Sequence, residues 1–440
     1  MIKSFPVEKS LLYRKRFSFI NRSVRIVNDN GKESDMYPCI VLVDTETDVV
    51  VAYTGYERFL CVESSSGKVN HGSTLAGKAV SVCKFLNYVL HETDLNSINE
   101  CGLNDIRNFL IESKTKDTGE EYAEDTWSRT KNTVLFFLRE YYLSYYSKMQ
   151  FNYNGEDLQK IVIIRDSEHH RKIKLVSDAN LHVDAPKTKH KKNRYFVYGY
   201  LELLLYEAKK YDPMITLAIA LQSYAGLREG SVMNLSVGRV KMILGGFGSI
   251  KSILLDLNTP APFWSNHNYK TNPAEIKKQR SQQVYDDFVM KVNQMYTDHI
   301  AYMELKGYDT SPEAPLFLNK WGNPLTEFAY RNRVKDLFYN HFLPSLKQTC
   351  ISQNTWAENA AYIEAYEKEY PGAHMFRHWF TMYLLTKAKL SPAEIQRWRG
   401  DSSDTAMLEY IHENDDMRKA YEESTYRFIE SILKEINSYE

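Results

Sequence analysis

The stretch Pro371–Leu385, PGAHMFRHWFTMYLL, joins an apolar helical pattern to an arginine and two histidines near its start. Phe376 and Phe380 are four residues apart, so they fall on one helical face that is suited to a core. His374 and Arg377 belong to the first turn, directly after Pro and Gly. Because a helix N-terminus presents unpaired N–H groups and the positive end of the dipole, this pattern predicts a site for an anion.

The composition of the 440-residue chain is that of a soluble globular protein, with 43% hydrophobic and 25% charged residues. Lys+Arg and Asp+Glu both number 56, so no overall charge favours a nucleic-acid partner, and binding would depend on where the charges lie. The five cysteines form no CxxC pair, which disfavours a zinc site or a disulfide framework. Without an apolar run of about 20 residues, we expect a cytoplasmic protein with no membrane association.

The chain divides into four segments by pattern. Residues 1–70 carry short β-branched runs and predict a β-rich N-terminal module of unknown role. Residues 71–150 change to helical periodicity and predict a small helical domain. Residues 151–195 contain two possible strands and a basic linker. Residues 196–440 form a large, mostly helical region, in which SILLDL and FWSNHNYKT predict a short antiparallel strand set. The predicted fold class is therefore mainly α with small β elements, or α+β.

The densest basic run is PKTKHKKNR, residues 186–194. It lacks apolar periodicity, and such runs are usually solvated tethers. The alternative is a strap lying on phosphates. The candidate DNA-binding residues of this run are Lys187, Lys189, Lys191, Lys192 and Arg194.

Three further polar residues occupy unusual places. Arg228 follows a glycine at the end of a long apolar helix, in SYAGLREGSV. Lys270, in NYKTN, lies between predicted strands, and Lys277 and Lys278 are alternatives for a lysine in this connection. Tyr410, in LEYIHE, follows WRGDSSDTAM. Each has an ordinary explanation taken singly: a surface arginine, a solvated lysine and a packed tyrosine.

Taken in order, these residues resemble the tyrosine recombinase (phage integrase) family. That family carries Gly-Leu-Arg, a β-hairpin lysine, His-x-x-Arg and a tyrosine, and here Tyr410 comes 33 residues after Arg377. The resemblance covers roughly residues 71–415. It implies a SAM-like core-binding domain over residues 71–150, a catalytic domain over residues 196–440, and double-stranded DNA as the partner.

The resemblance also implies a chemistry. Arg228 and Arg377 would bind the non-bridging oxygens of a DNA phosphate, and His374 would donate a hydrogen bond or move a proton. Tyr410 would attack phosphorus to leave a 3′-phosphotyrosyl bond, and Lys270 would protonate the departing 5′-oxygen. Two fixed cations make a divalent metal unnecessary, and the conserved bond energy makes ATP unnecessary, so no cofactor is expected.

A C-terminal stripe completes the implied assembly. It predicts an amphipathic helix that would dock on the next protomer, so that recombination runs in a tetramer on DNA and the protein associates with the nucleoid when bound. The residues of the stripe are Phe428, Ile429, Ile432, Leu433 and Ile436.

The sequence departs from the family pattern at three points. Asp401 stands where the family has His or Trp, and Ser231 stands where an acidic residue often follows the first arginine. The gap of 146 residues between Arg228 and His374 implies an insertion within 285–370. Besides a recombinase or integrase of a mobile element, the residues fit a type IB topoisomerase-like enzyme or a transposase. Asp401 favours a third alternative, a DNA-binding protein on this scaffold that no longer cuts.

Overall fold

The computed structural model describes residues 14–27, 33–61, 72–116, 118–158, 160–165, 171–176, 181–187, 196–274, 276 and 278–400. The chain divides into two compact units, Met1–Lys191 and Lys192–Glu440. Helices and small antiparallel sheets make up both units, so the fold is α+β, as predicted. In the described part of the chain, every helix is too short or too polar to span a bilayer.

The first unit begins with a three-stranded antiparallel sheet of strands β1 (Phe17–Val27), β2 (Glu33–Asp44) and β3 (Val49–Tyr53), in that order. These are the β-branched runs that the sequence pattern predicts as strands. Phe19 pairs with Leu42 across β1 and β2, and both side chains are buried. One face of the sheet therefore has the apolar side chains of a core.

Helices of the first unit pack on this apolar face of the sheet. They are α1 (Gly72–Glu92), α2 (Leu103–Glu112), α3 (Glu124–Tyr145) and the short α4 (Gly155–Leu158). Their buried side chains form one hydrophobic cluster with those of the sheet. The predicted boundary at residue 70 therefore marks a change of secondary structure inside one unit. The two strands that the sequence predicts within residues 151–195 are present as β4 (Lys160–Arg165) and β5 (Arg171–Val176), and they pair antiparallel.

The second unit is built around one apolar helix. Helix α6 (Pro213–Tyr224) follows α5 (Tyr200–Tyr211) directly and precedes the short α7 (Glu229–Met233). Nearly every side chain of α6 is buried because its sequence, PMITLAIALQSY, is apolar around the whole helix. It is therefore the centre of the core on which the neighbouring elements pack.

A second antiparallel sheet follows α7. It consists of β6 (Val240–Leu244), β7 (Ile250–Leu257) and β8 (Arg280–Gln283). The remaining helices are α8 (Val289–Leu305), α9 (Glu327–Leu337), α10 (Leu343–Ser352), α11 (Trp356–Lys368), α12 (Met375–Thr386) and α13 (Pro392–Arg399). A π-helical turn, Phe338–Phe342, joins α9 to α10. Helices α8 to α11 fill the interval in which the sequence implies an insertion.

The strand set differs from the sequence prediction at one place. The segment FWSNHNYKT was predicted as a strand, and this is wrong: it contains a 3₁₀ turn, Pro262–Ser265, and further turns. Pro262, directly before the segment, removes a ladder donor, and Asn266 and Asn268 favour turns. The third strand is instead β8, whose polar sequence RSQQ has no apolar alternation to reveal it.

Candidate active site

Arg377, on α12, is almost fully buried, with 1% of its surface exposed. Its Nη1 donates to the carbonyl of Gly226, and its Nη2 donates to the carbonyl of Arg399 at 2.9 Å. Burying a guanidinium is unfavourable unless acceptors replace water. These two bonds supply such acceptors, and they also join α12 to two distant parts of the chain.

The Gly226 carbonyl belongs to the loop that carries Arg228. Gly226 has φ +63°, in the left-handed region, and an added Cβ would lie 2.6 Å from Phe380 Cε1. Only glycine lets this loop close onto α12. Arg228 is half-buried and is the N-cap residue of α7, and its carbonyl accepts from the Val232 N–H at 3.0 Å. Because Arg228 is two residues from Gly226, their Cα atoms are at most about 7 Å apart.

Two histidines accompany Arg377 at the start of α12. His374 occupies the N-cap position and is half-buried, while His378 is buried one turn later. Their ring centroids are 5.3 Å apart in an edge-to-face arrangement. The sequence prediction that His374 and Arg377 share the first turn of a helix is confirmed. This helix end has the dipole orientation that favours an anion.

The C-terminal end of α13 completes the cluster. Arg399 is 2% exposed, and its Nη1 donates to Thr381 Oγ1 at 2.8 Å. The Thr381 hydroxyl in turn donates to the Arg377 carbonyl at 3.1 Å. Gly400 has φ +60°, and an added Cβ would overlap the guanidinium of Arg280. The carbonyls at this helix end carry the negative end of the dipole, which suits the surrounding cations.

Of the lysines considered from the sequence, Lys278 reaches this cluster. Its Nζ donates to the Gly400 carbonyl at 3.1 Å, one residue from the carbonyl that Arg377 contacts. Lys270 has an exposed side chain, and its backbone N–H donates to Asn323 Oδ1 at 2.9 Å. Both lysines lie in the connection between β7 and β8. Lys277 is outside the described residues.

Several predicted residues cannot be placed. Tyr410, Asp401 and the C-terminal apolar stripe lie outside the described residues, so their roles stay predictions. Lys187 is described and exposed. The other four residues of the basic run, Lys189, Lys191, Lys192 and Arg194, lie outside the described part.

Two cationic residues of the cluster were missed from the sequence. Arg399 directly precedes Gly400 in WRGD, so its closeness to the recombinase-like motif was the available signal. Arg280 opens β8, a strand that the apolar pattern does not reveal. Over the ranges that the structure describes, no group of three His, Cys, Asp or Glu side chains could hold a metal ion. What the geometry defines is a cationic, largely buried site at the junction of α12, α13 and the Arg228 loop.

Comparison with known proteins finds similar solved structures. No family model and no curated protein matches the chain. Among solved structures, the chain is similar to the XerH recombinase in a post-cleavage complex with difH DNA, at 16% identity and a TM-score of 0.46, with 80% of each chain covered. It is also similar to the Tn1549 transposon integrase with right-end DNA, at 17% identity and a TM-score of 0.46, covering 81% of this chain and 95% of that one.

A lambda integrase dimer bound to a COC′ core site is a third similar structure, at 13% identity and a TM-score of 0.47. The alignment covers 81% of this chain and 74% of that one. All three similar proteins are named as recombinases or integrases in complex with DNA.

Proposed function

We propose that this chain is a DNA strand transferase that cuts and rejoins double-stranded DNA, as a site-specific recombinase or integrase. One observation carries the proposal. The guanidinium of Arg377 binds the Gly226 carbonyl, in the Arg228 loop, and the Arg399 carbonyl, next to the residue that Lys278 contacts. The cationic side chains of Arg377 and Lys278 thus meet at one helix end, and the backbone of the Arg228 loop lies against Arg377. Fixed cations in such a volume are what phosphoryl transfer requires.

The two arginines would act on the phosphate itself. A guanidinium presents five N–H donors in a planar fork that matches two oxygens of a phosphate. Arg228 and Arg377 would neutralise the charge that builds on the non-bridging oxygens. His374, at the N-cap of α12, would donate to the same group or move a proton.

The covalent step would use Tyr410. Its phenol loses a proton to a base, its oxygen bonds to phosphorus, and the bond from phosphorus to the 5′-oxygen breaks. The departing oxygen takes a proton from a lysine ammonium. We assign this role to Lys278 in place of Lys270, because Lys278 contacts Gly400 beside the Arg377 site. The phosphotyrosyl bond keeps the energy needed for rejoining, and reversal of the step seals the strand.

Access of a phosphate to the site would depend on a change in the burial of Arg377. Arg377 is 1% exposed, so a phosphate reaches its guanidinium only after the side chain gains exposure. We therefore expect little activity until the protein is engaged on its DNA. Asp401 adds to this expectation, because a carboxylate beside a phosphate repels it.

A trapped covalent adduct tests the proposal. The probe is a pool of duplexes with a randomised centre, each carrying one nick so that cleavage releases a short strand and cannot be reversed. The chain should form a denaturant-resistant adduct whose modified peptide contains Tyr410, and the Tyr410→Phe variant should form none. Binding without adduct from either protein would establish the non-cutting alternative. An adduct on Tyr421 or Tyr426 would overturn the assignment of the nucleophile.

The lysine assignment has its own comparison in the same assay. Lys278→Ala should slow adduct formation by about 10²-fold or more, the size of a general-acid contribution. Lys270→Ala, in the same connection but with an exposed side chain, should change the rate by less than about tenfold on this scale. The reverse order would restore Lys270 as the proton donor.

The basic run and the C-terminal stripe extend the proposal to DNA affinity and assembly. Lys187, an exposed residue of the run, would contact a phosphate. Replacing it with Ala should lower the slope of log affinity against log salt by about one. An unchanged slope would make the run a tether. Deleting residues 425–440 should abolish higher-order protein–DNA complexes, and retention of those complexes would contradict docking through the stripe.

A further inference from the structure

The connection between β7 and β8 is fastened at Ala274 through both of its backbone polar groups. The Ala274 N–H donates to the two carboxylate oxygens of Glu327, at 3.0 and 2.9 Å. The Ala274 carbonyl accepts from Asn234 Nδ2 at 2.7 Å. Two side chains from different elements, one on α9 and one directly after α7, thus hold a single residue of a long connection.

Asn234 is well built for this task. It is 1% exposed, and its Nδ2 also donates to the Gly230 carbonyl at 2.7 Å. Its Oδ1 accepts from Trp264 Nε1 at 2.8 Å. A buried carboxamide with acceptors and donors on every side keeps one orientation, because turning it would set oxygen against oxygen. Asn234 therefore ties the connection to α7 at two points, Trp264 and Ala274.

Asn234 and Glu327, with Ala274 between them, form what we call the clamp. Glu327 connects this clamp to the Arg228 side of the site. It is the first residue of α9, directly after the capping residue Thr326. An added Cβ at Gly230 would lie 2.9 Å from Glu327 Oε1, so the carboxylate rests on the backbone of Gly230. Gly230 is two residues after Arg228. The absence of a side chain at Gly230 allows the carboxylate to touch both α7 and Ala274.

The clamp fixes one end of the segment that carries Lys278. Ala274 is four residues before Lys278, and the pairing of Arg280 with Leu257 in the sheet is two residues after it. Ala274 and Arg280, which lie before and after Lys278, are thus both held by neighbouring elements. In a general acid, a misplacement of about 1 Å is enough to lower the rate by a large factor.

We propose that Asn234 and Glu327 are positioning residues, which hold the Lys278 segment at its working distance from Arg228. This inference rests on the proposed function, because it assigns the pair a role in delivering a proton to the leaving oxygen. Neither side chain touches the reacting atoms. They act through Ala274 on the lysine.

Leaving-group substitution provides the test. Two duplexes carry the cleavage site recovered from the nicked pool. One is ordinary, and the other has sulfur in place of the scissile 5′-oxygen. The rate of adduct formation in a single turnover is measured on each. A thiolate leaves without a proton, because the pKa of a thiol is about 8.5. Glu327→Ala should slow cleavage of the oxygen substrate by about 10- to 100-fold, within the range of a general-acid contribution. On the sulfur substrate its effect should shrink to about threefold or less, because no proton is needed.

Matched variants separate positioning from folding. Glu358→Ala removes an exposed glutamate from the first turn of α11. Like Glu327→Ala, it takes one carboxylate away from a helix N-terminus, but this carboxylate does not contact Ala274. Glu358→Ala should leave both rates unchanged. Glu327→Gln keeps one acceptor for the Ala274 N–H and should restore most of the rate. In the Lys278→Ala background, Glu327→Ala should add no further loss on the oxygen substrate.

Two results would overturn the inference. Equal slowing of the oxygen and sulfur substrates by Glu327→Ala would mean a general structural defect. An oxygen-substrate rate equal to that of Glu358→Ala would mean that the clamp does nothing for catalysis. Failure of the unaltered chain to form an adduct on either substrate would instead refute the proposed function, and the catalytic role of the clamp with it.

Discussion

Replacement of Gly226 by Ala probes the joint between the Arg228 loop and α12. Gly226 has φ +63°, where an L-residue costs about 1–2 kcal/mol. The new Cβ would also lie 2.6 Å from Phe380 Cε1, and Phe380 is a fully buried residue of the core. Overpacking of this kind costs about 1–3 kcal/mol. The two effects together predict a loss of about 2–5 kcal/mol in the free energy of unfolding.

The matched control is Gly307→Ala. Gly307 has a similar φ of +71°, but an added Cβ there would meet nothing within 4 Å. Its loss should therefore be the backbone cost alone, about 1–2 kcal/mol. The difference between the two variants isolates the contact with Phe380.

Urea unfolding of the full chain measures both variants, with hydrogen exchange of peptides from α12 to locate the effect. Gly226→Ala should lower the unfolding free energy by about 1–3 kcal/mol more than Gly307→Ala. It should also speed exchange within residues 375–386. Equal losses for the two variants would show that the loop is not packed against Phe380, and the joint that brings Arg228 to Arg377 would then be refuted.

Three further predictions concern stability. Ser391→Ala removes the capping box of α13, in which the Ser391 side chain accepts from the Glu394 N–H, and should cost about 1 kcal/mol in urea unfolding; no change would mean that this end of α13 needs no cap. Trp127→Phe removes the Nε1 bond to the Leu110 carbonyl at 3.0 Å and should destabilise the first unit by about 1–3 kcal/mol, seen as earlier loss of helical circular dichroism; an unaltered transition would contradict it. Burial lowers the pKa of His299 below its ordinary value of 6.5, so the unfolded chain binds a proton first and stability should fall as pH drops below about 6.5. His299→Gln should flatten this pH dependence between pH 7 and 5, and an identical slope in both proteins would exclude His299 as its source.

The helices could be predicted from sequence because each carries its own periodic signal. The run MITLAIALQ predicts a buried helix wherever it occurs, and α6 is that helix. Strand β8 could not be found in this way, because its four polar residues pair at a sheet edge and leave no apolar alternation. The same limit applies to Ala274, whose importance comes from two side chains that are 40 and 53 residues away in sequence.

The candidate site likewise contains some residues that the sequence reveals and others that it does not. His374 and Arg377 were visible because one helical turn brings them together, and Arg228 because a glycine breaks the helix before it. The choice between Lys270 and Lys278 was not visible, since both lie in the same connection. Only the contact of Lys278 with the Gly400 carbonyl separates them.

The burial of Arg377 bears on how a phosphate would reach the candidate site. Its guanidinium is bound to two backbone carbonyls, which are neutral acceptors. These bonds are already charge-assisted by the guanidinium, but a phosphate would add charge–charge attraction that a carbonyl lacks. A phosphate that reached Arg377 would therefore compete well with either carbonyl. The Arg399 carbonyl is the one to exchange, because it lies at a helix end, whereas the Gly226 carbonyl lies in a loop fixed against Phe380. On the proposed function, binding of a phosphate would therefore release Arg377 from the C-terminal end of α13, and cleavage would wait for a phosphate placed well enough to make this exchange.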